Sequence, residues 1–369
     1  MHTGLIVKAT RLCNLRCVYC NDWRDGTDQE MSFPILLSLI HAALRDSTHH
    51  SVEFIWHGGE TTLLPRSFYE KAIFLQSQLR MPGQVISNSI QTNGTRLTKD
   101  WIRFFRANQF SVGISLDGPP EVHDRLRVNR SGRGSFAKIR QGIELLREEA
   151  VPFSILMVVD EEALESGPDR IFDFFVETKV KNLAFLAARP VNQPNALPGT
   201  KAVHYVDPKR MCAFLKRTYD RWVAHGDESM HIRELESLRA RIQGKEGGFC
   251  TLAGGCLGRY FTVEPDGTVA HCDLFIGDDR YTLGKITSGD FSSIRNGEKL
   301  RLLQKEWQAD RSQMTDCSEY HVCQGWCPHE RYSSRRHNLA HATSCCGLRD
   351  LIEHIRLKTS SNIASHHVQ

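Results

Sequence analysis

The sequence has no apolar run near the roughly 20 residues that a membrane-spanning helix requires, and no signal-peptide hydrophobic stretch follows Met1. Met1–Gly4 leads straight into a strand-like segment, so neither a membrane anchor nor export is expected, and a cytoplasmic location is. A clustered basic stripe is also missing: the net charge is only +4 and is spread along the chain, which argues against a nucleic-acid partner. There is no internal repeat and no low-complexity tract. With 40% hydrophobic and 24% charged residues the chain can bury a core, which excludes the disordered and fibrous classes. Metal-knuckle C-x2-C pairs are absent apart from Cys17–Cys20, which weighs against zinc ribbons and fingers.

Cysteine, by contrast, is plentiful. Twelve occur in 369 residues, and in a chain without an export signal they are expected as metal or cluster ligands rather than disulfides. Three sit near the N-terminus (Cys13, Cys17, Cys20). Eight fall between Gly247 and Gly347 (Cys250, Cys256, Cys272, Cys317, Cys323, Cys327, Cys345, Cys346). Cys212 alone stands apart, in the amphipathic segment Lys209–His225, and reads as a core thiol.

The first half alternates strand and helix signals. Strands are expected at Leu5–Ala9, Val52–Trp56, Val85–Gln91, Ser111–Leu116, Phe153–Val159 and Asn182–Ala188. Helices are expected at Pro34–Leu44, Phe68–Leu79, Asp100–Ala107, Phe136–Glu149 and Arg170–Val176. Such alternation predicts a parallel sheet with right-handed crossovers, either an open sheet or a partial barrel. Arg189–Pro208 reads as loop, and Lys209–His225 and Ile232–Gly244 as helices. From Gly247 the texture changes to glycine, cysteine and short strands, with a hairpin at Tyr260–Val263 and Thr268–His271 around Pro265-Asp266-Gly267. The tail from Ser360 is polar and expected to fray.

Cys13-x3-Cys17-x2-Cys20 directly follows the first strand, at the end where α/β folds bind ligands. Three thiolates on so short a loop can wrap one face of a cubane and leave its fourth iron open, the alternative being a zinc site that borrows a distant fourth ligand. This loop, with Tyr19 before the last cysteine, resembles that of the radical S-adenosylmethionine enzymes. The resemblance implies a partial (β/α)6 barrel and a [4Fe–4S] cluster whose open iron chelates S-adenosylmethionine. It also implies reductive cleavage of that molecule to a 5′-deoxyadenosyl radical that abstracts hydrogen from carbon.

Further segments carry the same likeness. His57-Gly58-Gly59-Glu60 is similar to the family's GGE segment, where glycine backbone approaches the ligand and the carboxylate meets the methionyl ammonium. Thr61 stands where a proline is usual. Val112–Arg127 (VGISLDGPPEVHDRLR) resembles sulfatase-maturing and peptide-modifying members, which places Ser115 at the ribose and Arg127 at the methionyl carboxylate. The candidate contacts to S-adenosylmethionine are thus Tyr19, Gly58, Gly59, Glu60, Gln91, Ser115 and Arg127. Gln91 and Asp117 either face bound molecules or satisfy neighbouring backbone. His57 and His123 are expected to be structural.

The second cysteine group resembles the SPASM extension of this family. Cys256-x10-Gly267-x4-Cys272 follows Cys250, and Met314-x2-Cys317-x5-Cys323-x3-Cys327 precedes Cys345. The resemblance assigns Cys250, Cys256, Cys272 and Cys327 to one auxiliary [4Fe–4S] cluster. Cys317, Cys323 and Cys345 go to a second, giving three clusters with that of Cys13, Cys17 and Cys20. Met314 occupies the second cluster's remaining position, so Cys346, Asp316 or an open iron are alternatives, as is a labile or absent cluster. Asp273 resembles the general base of sulfatase-maturing enzymes, against the alternative of a loop-capping carboxylate.

The expected organisation is a radical SAM partial barrel over 1–200, a helical bridge over 201–246, the SPASM domain over 247–350, and a C-terminal helix and polar tail over 351–369. The expected function is maturation of a ribosomally made precursor peptide, by oxidation or by a crosslink such as a cyclophane. Auxiliary clusters would accept the electron, and a flavodoxin or ferredoxin would supply the reducing electron. The alternative is an anaerobic sulfatase-maturing enzyme that forms formylglycine from Cys or Ser. A third possibility is a non-catalytic electron-transfer module. Only about nine residues precede the cysteine loop, so no N-terminal leader-binding domain is expected. The arginines at 125, 127, 130, 133, 331, 335 and 336 are expected on solvated faces.

Overall fold

The computed structural model describes residues 2–23, 29–46, 48, 50–248, 250–252, 255–286 and 291–366. The chain forms two compact units. The first comprises Met1–Leu116, His123–Ser154 and Leu257–Gln304; the second comprises Asp117–Val122, Ile155–Cys256 and Lys305–Gln369.

The first unit is built on strands β1 (His2–Thr10), β2 (Ser51–Gly58), β3 (Val85–Thr92) and β4 (Ser111–Ser115), paired in parallel in chain order. Helices Phe33–Arg45, Arg66–Leu79 and Lys99–Ala107 make the crossovers. The other edge of β1 takes β8 (Tyr260–Val263) in parallel, and β9 (Thr268–Ala270) and β10 (Thr282–Lys285) continue antiparallel from it. Gly4 makes this edge possible, since a Cβ there would stand 2.5 Å from the Tyr260 ring.

Alternation along the strands separates two faces. Leu5, Val7, Ala9, Val52, Phe54, Trp56, Ile90, Val112 and Ile114 are buried on the face that meets the helices. There Trp56 packs edge-on to Tyr69, with ring centroids 5.5 Å apart, and donates from Nε1 to Asn88 Oδ1 at 2.9 Å. The opposite face carries Lys8, His57, Gln91 and Ser115 at the carboxyl ends of four neighbouring strands. The register pairs Lys8 with His57 and Gln91 with Gly113.

The second unit contains β5 (Phe153–Val159), β6 (Asn182–Ala187) and β7 (His231–Ile232), each parallel to the next. Helices Pro168–Glu177 and Pro208–His225 are tied by Arg217 to Asp169 and by Arg221 to Asp169 and Asp173. Arg189–Pro208 carries no helix or strand before Pro208 begins its helix.

The α/β class with its parallel sheet stands as expected, and the six strands expected in the first half all form. Some expectations do not hold. The region after Gly247 holds substantial helices, Glu298–Ser312 and Pro328–His337, where mainly short strands were expected. A C-terminal helix, as expected, spans Arg349–His366, and residues 367–369 lie outside the described residues. Arg331, expected in solvent, is only 2% exposed, and Arg127, read as a contact to S-adenosylmethionine with a solvated face as the alternative, is 8% exposed. Among the described residues no helix is long and apolar enough to cross a membrane.

Candidate active site

The N-terminal cysteine loop is held on two sides by backbone and on a third by a side chain. Gly59 N–H donates to Thr10 O and Glu60 N–H to Leu12 O, both at 2.8 Å. This contact explains the two glycines. Gly58 has φ +123°, a Cβ on it would stand 2.2 Å from Thr10 O, and one on Gly59 would stand 2.0 Å from Leu12 O. The close approach is to the cysteine loop itself. On a second side Arg16 N–H donates to Val128 O at 2.6 Å and Val18 N–H to Leu126 O at 2.9 Å. On the third, Asn93 Nδ2 reaches Asn14 Oδ1 at 2.9 Å and Cys13 Sγ at 3.9 Å.

Backbone N–H groups of Leu15 and Asp22 point at the sulfurs of Cys13 and Cys20, each at 3.4 Å. A cleft of about 600 Å3 borders Cys13 and Asn14, so this part of the loop faces open space. Burial pushes the Cys13 thiol up to about 12, so ligation there must displace a proton. Three thiols on one short loop, with N–H groups directed at two of them, suit an iron–sulfur cluster.

Glu60 is fully buried. Its Oε1 accepts from Thr62 N at 3.0 Å and from the Thr62 and Thr92 hydroxyls, and Oε2 accepts from Asn93 N at 2.7 Å. Four donors from the chain already engage the carboxylate. Glu60 is therefore first a brace between the GGE turn and the end of β3. Arg127 Nη1 donates to Tyr19 Oη at 2.5 Å, which brings these two predicted contacts together beside the loop. Gln91 Nε2 donates to Ser115 Oγ at 2.9 Å, and Gly113 leaves room for the Gln91 amide, where a Cβ would stand 2.2 Å from Oε1. Asp117 is buried and accepts from Val158 N at 2.9 Å, a structural role. His123 bonds Ser135 Oγ at 3.0 Å and is likewise structural.

Asp273 lies in a cluster that the sequence reading did not anticipate. Lys8 Nζ, with its side chain 1% exposed, donates to Asp22 Oδ2 at 2.8 Å and to Asp273 Oδ2 at 3.3 Å, and meets His57 Nδ1 at 2.9 Å. Arg11 adds an ion pair with Asp22 and a two-pronged contact to Glu264. Burial pushes the Asp273 carboxyl up, but Lys8 and then His57 outweigh it and hold the group at about 2. Burial, reinforced by Lys8, lowers His57 to about 3. Gly58 N–H also donates to His57 Nδ1 at 2.8 Å, so the neutral ring carries its proton on Nε2. The available signal was Lys8 itself, a charge inside the apolar run Leu5–Ala9, which burial requires to be paired.

In the second unit, buried Cys327 has Cys256 and Cys250 as electrostatic neighbours, and its thiol is pushed up by burial. Cys272, in the first unit, has left-handed backbone (φ +56°). Cys317, Cys323, Cys345 and Cys346 are electrostatic neighbours in the second unit. Gln324, Gly325 and Trp326 all have positive φ, a strained run that separates Cys323 from Cys327.

Comparison with known proteins fits this arrangement. Residues 7–173 match the Radical SAM superfamily and residues 255–325 an iron–sulfur cluster-binding domain, SPASM. The serine-type anaerobic sulfatase-maturating enzyme of Bacteroides thetaiotaomicron is 34% identical over 87% of this chain and 81% of its own. The chain belongs to the anaerobic sulfatase-maturating enzyme family of radical SAM/SPASM proteins. The cysteine-type enzyme of Clostridium novyi is 30% identical over 88% of this chain and 87% of its own. Native anSMEcpe with bound AdoMet and Cp18Cys peptide superposes with a TM-score of 0.84 at 27% identity, covering 98% and 99% of the two chains. Membership in this sulfatase-maturating family overturns the expected crosslinking of a ribosomal peptide, cyclophane formation included. The shared motifs between Val112 and Arg127 do not separate the two groups; similarity along the whole chain does. The protein is a radical SAM/SPASM enzyme of post-translational modification.

Proposed function

We propose that this protein oxidises a Cys or Ser side chain of a sulfatase to formylglycine. The observation that carries this is the Asp273 carboxylate, ionised and fixed by Lys8, on the strand-end face that also bears His57, Gln91 and Ser115. The reaction removes one hydrogen atom from the substrate Cβ, one proton from its hydroxyl or thiol, and one electron; from Ser this leaves the aldehyde, and from Cys a thioaldehyde that water hydrolyses to the aldehyde with release of hydrogen sulfide. When bound, S-adenosylmethionine with its iron–sulfur cluster supplies the hydrogen abstraction, and the auxiliary clusters supply the electron acceptor.

Cys13, Cys17 and Cys20 hold the first cluster. Arg127, steadied by Tyr19, meets the methionyl carboxylate. The Gly58-Gly59-Glu60 turn lies at the methionyl amine with Glu60 as its brace, and the Gln91–Ser115 pair lies at the ribose. Asp273 accepts the substrate proton; its low pKa keeps it ionised at neutral pH, and Lys8 keeps its orientation. Cys250, Cys256 and Cys327 hold auxiliary iron and sulfide. A sulfatase or its peptide is the substrate partner, and a flavodoxin or ferredoxin the electron donor.

The test is anaerobic incubation of reconstituted protein with S-adenosylmethionine, reductant and sulfatase-site peptides carrying Cys or Ser, read by mass spectrometry. Formylglycine formed in step with 5′-deoxyadenosine supports the reading. A crosslinked peptide without aldehyde, or no oxidation of either peptide, overturns it. Asp273→Asn is expected to lower formylglycine formation roughly 10²–10⁴-fold while S-adenosylmethionine cleavage continues.

A further inference from the structure

The SPASM-type spacing puts Met314 where the second auxiliary cluster would take its first thiolate. Met314 is a core side chain: it is 1% exposed, and a Cβ added to Gly325 would stand 3.0 Å from its methyl group. Iron in such clusters is held by thiolates, and a packed thioether is a poor substitute. Asp316, the other nearby donor, is exposed.

Cys346 is placed differently. It is 6% exposed, with Cys323 and Cys345 as its side-chain neighbours, and Cys317 in turn neighbours Cys345. Gly347 N–H points at Cys345 Sγ at 3.4 Å and Leu348 N–H at Cys346 Sγ at 3.5 Å. The segment bearing both thiols is clamped from two directions. Buried Arg331 donates to Ala342 O at 2.7 Å, Cys345 O at 2.9 Å and Thr343 O at 3.2 Å, with Asp310 balancing its charge. From the other direction the Cys212 thiol donates to Gly347 O at 3.1 Å.

We propose that Cys346 is the fourth thiolate of the second auxiliary iron–sulfur cluster, completing the set Cys317, Cys323 and Cys345 in place of Met314. The proposal rests on the auxiliary-cluster reading of the extension. Cys317, Cys323, Cys345 and Cys346 are electrostatic neighbours of one another.

The test compares anaerobically reconstituted full-length wild type with Cys346→Ser for iron, acid-labile sulfide and electron paramagnetic resonance. Wild type is expected to hold about twelve irons, three cubanes' worth. Cys346→Ser is expected to fall toward about eight, or to show a three-iron cluster signal on mild oxidation. About twelve irons in Cys346→Ser without that signal, only about eight in wild type, or zinc in place of iron each overturn it. Should Cys346→Ser not fold, alkylation of wild type answers the same question. Cys346 is expected to become reactive together with Cys317, Cys323 and Cys345 as iron is stripped. Its alkylation while those three stay protected overturns the assignment. Loss of iron in Cys346→Ser supports the ligand whether or not formylglycine is formed, so failure of the proposed activity is read separately.

Discussion

Lys8 is the residue on which the site turns, because one buried ammonium serves Asp22, Asp273 and His57 at once. Removing it strips Asp273 of its cation and leaves Asp22 with Arg11 alone, and breaking a buried pair from one side costs about 3–5 kcal/mol. Lys8→Met is therefore expected to lower the unfolding free energy by that order, measured by denaturant titration. The same change frees Asp273 from its strongest stabiliser, so its pKa rises and an acid limb enters the pH profile of formylglycine formation. His57 gives a second pH signature. Its folded value of about 3 lies below the ordinary 6.5, so its contribution to stability is full above about pH 6.5 and is lost as pH falls toward 3. His57→Gln lacks that contribution. Wild type should lose roughly 1–2 kcal/mol relative to the variant between pH 7 and pH 5.

At the scale of elements, the GGE turn matters as a clamp on the cysteine loop. Gly59→Ala puts a Cβ about 2 Å from Leu12 O, where backbone cannot yield as a flexible side chain would. The expected result is about 1–3 kcal/mol of destabilisation with loss of the N-terminal cluster's iron before the auxiliary iron, measured by iron analysis and by S-adenosylmethionine cleavage. The Tyr19–Arg127 contact is a milder clamp. Tyr19→Phe leaves a buried guanidinium short of one acceptor, a cost of about 1–3 kcal/mol. A raised KM for S-adenosylmethionine with little change in kcat would mark it as a binding effect. The three consecutive left-handed residues at 324–326 belong to the same class of device, fixing the directions of Cys323 and Cys327 by backbone alone.

On the scale of the whole molecule, iron and folding should be linked, because thiols such as Cys13 and Cys327 are pushed up by burial and must lose protons to bind metal. Stripping iron is expected to lower the thermal unfolding midpoint, and anaerobic reconstitution to restore it. The sequence alone determined the parts whose signals are local. Alternating apolar periodicity marked the six strands, and short fixed spacings marked Cys13–Cys17–Cys20 and the SPASM-type cysteines, since periodicity and spacing survive in one dimension. The substrate branch was not legible that way, as the run from Val112 to Arg127 is common to sulfatase-maturing and peptide-modifying members. Only the tertiary structure decided what depends on residues far apart in the chain. Lys8 and Asp273 are separated by 265 positions and meet through strand register and the β8–β9 hairpin. Gly58 and Gly59 proved to serve a backbone contact, Glu60 a set of internal donors, and Arg331 a buried clamp. The place of Cys346 beside Cys323 likewise follows from how loops pack, which no spacing rule encodes.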